Sequence, residues 1–99
     1  MTEIRKAAER ALDLWGLESQ VDMSIEELSE LILALQKHFR RHSIDAQAVA
    51  SEIADVEFMC DQLRCIIGDD LVDKEKEFKL SRLIRRMDEF ERAVIHPVS

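Results

Sequence analysis

The stretch Ser51–Leu63, SEIADVEFMCDQL, decides the fold, because it reads as a helix that carries acids on its apolar side. With side chains placed at roughly 100° per residue and Glu52 at zero, Val49, Val56, Met59, Leu63, Ile66 and Ile67 all fall within roughly 60° of it. Glu52 is thus near the centre of the apolar stripe. Asp55 projects roughly 60° to one side, close to the direction of Ile66. An acid on a buried stripe must be neutralised, paired or bound to a cation. Two such acids, at i and i+3, ask for one common explanation.

Outward from this stretch the chain is a succession of amphipathic helices. Asp45 is the expected N-cap of the helix that contains it, and Gly68 the expected C-cap. Upstream, Ile4, Ala7, Ala8, Ala11, Leu12 and Trp15 make an amphipathic run ended by Gly16. A second helix is expected from about Glu18 to about His42, with Val21, Leu28, Ile32, Leu35 and Phe39 as its apolar stripe. Ser43-Ile44-Asp45 is the break before helix three. Downstream, Gly68–Asp73 reads as a short polar connection, followed by a fourth helix from about Asp73 to Val94 and a tail marked by Pro97. Only two Gly and one Pro occur in 99 residues, too few for a loop-rich β fold, and a 46% hydrophobic content excludes disorder. The expectation is an all-α four-helix bundle in a single domain over residues 1–99, thin enough to be completed by dimerisation.

Charge and composition narrow the function. A net charge of −7 disfavours nucleic-acid binding, no apolar run approaches the roughly 20 residues of a membrane span, and the N-terminus has no signal-peptide apolar region. A cytoplasmic protein is expected. Cys60 and Cys65 match neither a CxxC nor a zinc pattern and are read as buried free thiols.

Helix two supplies the matching half of the acid pattern. Glu26, Glu27 and Glu30 form the string EELSE, in which Glu27 and Glu30 project about 60° apart. If helices two and three pack antiparallel, Glu27, Glu30, Glu52 and Asp55 converge, and four carboxylates in one cleft repel unless cations occupy it. Hard oxygen donors suit Mg²⁺ or Mn²⁺. No Glu-x-x-His pair supports a di-iron site. Taken alone, EExxE is a common charged helix face; the second pair on an apolar stripe is what distinguishes this chain. On helix four, Lys79, Arg82 and Arg86 form a basic ridge beside the apolar stripe, either a clamp for phosphate oxygens or a solvated face paired with Glu75 and Glu89.

Together EELSE at Glu26–Glu30, SEIADVEFMCDQL at Ser51–Leu63 and KLSRLIRR at Lys79–Arg86 resemble the MazG-like, all-α nucleoside triphosphate pyrophosphohydrolases. The lead-in Trp15–Gln20 is similar to that of short members, so the resemblance runs over roughly residues 10 to 90. It implies a MazG-like fold and Mg²⁺-dependent hydrolysis of (deoxy)nucleoside triphosphates to monophosphate and pyrophosphate. It further implies Glu27, Glu30, Glu52 and Asp55 as magnesium ligands and a homodimer or homotetramer clearing surplus or noncanonical nucleotides. Glu26, with Glu27, would orient or activate the attacking water. The chain departs from longer members in having one motif copy and no second domain, so a neighbouring subunit is expected to complete the nucleoside pocket.

Base recognition is read from few residues. Trp15, the only Trp, either stacks on a base or anchors helix one, with the core role favoured; Gln20 either meets a base edge or faces water, with water favoured. His38 and His42, at i and i+4, have ligand spacing, but their basic helix end favours dipole capping. The competing reading is a noncatalytic helical dimerisation protein whose acids merely solvate it. That reading leaves Glu52 on the apolar stripe unexplained.

Overall fold

The computed structural model describes residues 2–40 and 45–95. Within them the chain is helical throughout, with no strand. Helix α1 spans Glu3–Trp15, α2 Leu17–Leu35, α3 Ala46–Ile67 and α4 Asp69–Ile95, and a π-helical turn at Gln36–Arg40 continues α2. The chain divides at Gly68 into two compact units, the first holding α1 to α3 and the second α4.

Local chemistry sets the helix ends. Thr2 caps α1, its Oγ1 accepting from the Arg5 amide at 3.1 Å. Gly16 alone separates α1 from α2, at φ +88°, a backbone conformation in which a Cβ is strained. As expected, Asp45 caps α3, with its Oδ1 accepting from the Ala48 amide at 3.1 Å. Gly68 ends α3 at φ +111°. The stretch expected as a polar connection, Gly68–Asp73, is already helical from Asp69. The reason is electrostatic: Asp69 and Asp70 sit in the first turn of α4, where carboxylates complement the helix dipole, so one glycine suffices as the break. The expected end of helix two at His42, the break at Ser43-Ile44 and the Pro97 tail lie outside the described residues.

In the first unit α3 packs against both α1 and α2, and α1 touches α2. On α3 the expected stripe is the packed one except at its margin: Val49 is buried, Glu52, Val56, Met59, Leu63 and Ile66 are half-buried, and Ile67 in the last turn is exposed. On α2 the expectation is corrected. The packed seam is Gln20, Ser24, Glu27, Leu31, Ala34 and His38, in alternating steps of four and three, whereas Leu28, Ile32, Leu35 and Phe39 are exposed. Small Ser24 is what lets α2 approach α3. It is 2% exposed, and its hydroxyl, bonded to the Gln20 carbonyl at 2.8 Å, lies 3.5 Å from the Met59 sulfur. Cys60 is exposed and Cys65 half-buried, against the expectation of two buried thiols. The hydrophobic core of the described residues is thin, with only Ala8 and Val49 buried. The apolar stripe of α4, including Leu80, Leu83 and Met87, is also exposed.

Candidate metal centre

The Ser24–Met59 contact fixes the register that builds the site. One turn forward on α2 is Glu27, and one turn back on α3 is Asp55. A further turn brings Glu30 and Glu52, and another Ala34 and Ala48, so the two helices run antiparallel. Glu27, Glu52 and Asp55 each present a carboxylate oxygen, and all three oxygens lie within 4.8 Å of one another. Glu30 joins them electrostatically, its charge acting on both Glu27 and Glu52. All four acids singled out in the sequence therefore meet at one place.

Their environment is unfavourable to the charges they carry. Desolvation is the largest cause raising the Glu27 carboxyl above its ordinary value, followed by the charges of Glu30, Asp55 and Glu52. Glu52 is raised by the same order of causes, desolvation first, then Glu30 and Asp55. The nearby Glu30 side chain pushes both Glu27 and Glu52 in the same, upward direction. The Oε2 atoms of both Glu27 and Glu52 are buried with no hydrogen-bond partner. Buried, unpartnered acceptor oxygens on half-buried acids are costly unless something positive satisfies them. Hard oxygen donors converging in this way fit a divalent cation such as Mg²⁺ or Mn²⁺.

Beside the carboxylates lies a cleft of about 290 Å³ lined by Glu30, Glu52, Ala48, Leu33, Lys37 and His38. Lys37 is seven residues beyond Glu30 and so falls roughly 20° from it on the helix. That spacing was a usable signal in the sequence. The π-helical turn carries Lys37 and His38, which line the cleft, and such turns recur at functional sites. His38 differs from the dipole-capping expectation: its Nδ1 accepts from the Asp45 amide at 3.4 Å, tying the end of α2 to the start of α3. His42 lies outside the described residues.

The other expected site residues of the first unit are not members of this acid cluster. Glu26 is exposed and does not belong to the group of three. On α4, Lys79 and Arg86 are exposed, while Arg82 is half-buried with its guanidinium 5.9 Å from the Phe78 ring centroid. Glu89 pairs with Arg85 at 4.0 Å rather than with a ridge residue. Gln20 does not face water; it is 4% exposed, because it occupies the packed seam. Trp15 does not anchor a core; it is 64% exposed and lines an open groove of about 840 Å³ between α1 and α3. Gln62, not singled out in the sequence, is buried in the wall of that groove.

No protein-family model matches the chain, and no curated protein and no solved structure matches it.

Proposed function

We propose that the protein is a Mg²⁺-dependent nucleoside triphosphate pyrophosphohydrolase of the MazG-like kind, releasing monophosphate and pyrophosphate. One observation carries the reading: Glu27, Glu52 and Asp55 bring oxygens within 4.8 Å, and the Oε2 atoms of Glu27 and Glu52 are buried and unpartnered. In this reading Glu27, Glu30, Glu52 and Asp55 hold the cation, with Mn²⁺ able to replace Mg²⁺. Bound there, the ion offsets the triphosphate's charge, polarises the scissile anhydride and lowers the pKa of an attacking water. Glu26, exposed one residue before Glu27, orients or deprotonates that water. Lys37, which lines the adjoining cleft, would hold phosphate oxygens as a point charge. On the sequence resemblance, Lys79, Arg82 and Arg86 would stabilise the departing pyrophosphate.

The exposed apolar faces of α2 and α4 support a homodimer or homotetramer in which a second copy completes a four-helix bundle. A cytoplasmic role in clearing the nucleotide pool goes with this reading, and no helix of the described residues is long and apolar enough to cross a membrane. The same exposed faces also favour the competing reading, a noncatalytic dimerisation protein. The deciding experiment is a (d)NTP panel with Mg²⁺ and product identification. Monophosphate plus pyrophosphate, lost in Glu27→Ala and Glu52→Ala, is the expected result. Absence of pyrophosphate from every nucleotide, or its persistence in both variants, defeats the enzyme reading.

A further inference from the structure

The groove between α1 and α3 contains a second unpartnered group. Gln62 is 6% exposed, and its Oε1 is buried with no hydrogen-bond partner. A buried amide oxygen left unsatisfied costs about 1–3 kcal/mol, so such groups are normally occupied by a donor. On the α1 side the groove is lined by the small Ala7, Ala8 and Ala11 together with larger side chains such as Ile4, Arg10 and Leu14. Two aromatic rings flank it: Trp15, 64% exposed, and Phe58, 52% exposed. An acceptor set between solvent-facing aromatic rings matches a planar heterocycle that carries an N–H.

The groove also lies in line with the acid cluster. Relative to Asp55, Phe58 and Gln62 fall at roughly −60° and −20° on α3, and Gln62 is about 10.5 Å further along the axis. One helix face thus carries a carboxylate of the metal site and, two turns on, the unsatisfied amide. A ligand that is anionic at one end and an N–H-bearing ring at the other spans that face. We propose that this groove is a nucleobase subsite, in which Gln62 Oε1 accepts from an N–H of the base while Trp15 and Phe58 take its faces. The proposal rests on the nucleotide reading above and deepens it by naming the residue that selects the base. A second copy of the chain, the other candidate occupant, would leave the amide facing apolar helix.

Nucleosides without phosphates, added to the full chain in EDTA, test the subsite apart from metal and hydrolysis. Trp15 is the only Trp, so its emission reports occupancy directly. The expected result is saturable quenching by at least one nucleoside. Gln62→Met should weaken that affinity by about tenfold while Tm holds or rises, because an unsatisfied oxygen is removed. Ala11→Leu, which fills the groove without touching the amide, should abolish quenching and covers the case in which the first variant fails to fold. Quenching by no nucleoside at millimolar concentration, or equal affinity in wild type and both variants, overturns the proposal. So does a change of Trp15 emission with protein concentration alone that either variant removes, since the groove is then a contact between copies. Hydrolysis without nucleoside binding would sink the base subsite alone; binding without hydrolysis would sink the enzyme and leave the subsite standing.

Discussion

Replacing Glu52 by Gln probes the acid cluster with a minimal change of shape, since amide and carboxyl nearly superimpose. Two effects of opposite sign follow. Without divalent ions, one of four clustered negative charges is lost, and Glu30 gains an N–H from which to accept. The metal-free variant should therefore melt above wild type at pH 8. Adding Mg²⁺ should invert the order. At about one hundred times the wild-type Kd, an ion bound only by the folded state stabilises it by about 2.7 kcal/mol. Loss of one ligand should cost at least the roughly tenfold in affinity that even outer-sphere changes cost. At the same Mg²⁺ concentration about 1.4 kcal/mol then remains. For a folding unit of this size each kcal/mol moves Tm by about 4–8 °C, so wild type gains roughly 10–20 °C and the variant about half. Scanning calorimetry at pH 8 across an Mg²⁺ series, with ionic strength held by KCl, reads both effects. Equal Mg²⁺ gains in the two proteins, or a metal-free variant that melts below wild type, would refute the reasoning.

Stability of the metal-free protein should also depend on pH in a specific direction. Glu27 and Glu52 are raised above their ordinary 4.5, so below that pH both are protonated in folded and unfolded chains alike. As pH climbs past 4.5 the unfolded chain loses these protons first, and their contribution falls until the folded carboxyls ionise as well. Melting curves from pH 4 to 8 should show that decline, and Mg²⁺ or a Glu27→Gln/Glu52→Gln pair should flatten it. Gly16→Ala should lower stability by about 1 kcal/mol, because φ is +88° although nothing lies within 4 Å of the new Cβ; a chemically introduced D-alanine, free of that strain, should not. Asp45→Ala should cost about 1 kcal/mol by leaving the Ala48 amide uncapped, measured by urea denaturation, and Asp45→Asn should restore most of it.

What the sequence disclosed, and what it hid, follows from which signals are periodic. The α3 stripe was readable because Val49, Val56, Met59 and Leu63 surround Glu52 at helical spacing, and an acid in that company is conspicuous. The convergence of Glu27 and Glu30 on it followed once the helices were taken as antiparallel. The α2 seam is hidden for the converse reason. Its packed residues include Gln20, Ser24 and Glu27, so hydrophobicity pointed to Leu28, Ile32 and Leu35, which face outward. Polar seam residues carry no hydropathy signal, and the same blindness hid Gln62 and placed Gln20 in water. Composition places the start of α4 too late because Asp69 and Asp70 look like a loop, whereas at a helix N-terminus they are stabilising. Trp15 reads inward from its place in the amphipathic run of helix one; its neighbours Ala7 and Ala11 leave a groove instead of a core.

The central claim is that four carboxylates share a divalent cation between α2 and α3. Crystals grown with Mn²⁺, measured at a wavelength where manganese scatters anomalously, test it most directly. The account predicts an anomalous peak within coordination distance of Glu27, Glu52 and Asp55, with Glu30 as ligand or immediate neighbour, and its loss in Glu52→Gln. A well-ordered map with no peak there, and those carboxyls hydrogen-bonded only to protein, would contradict it.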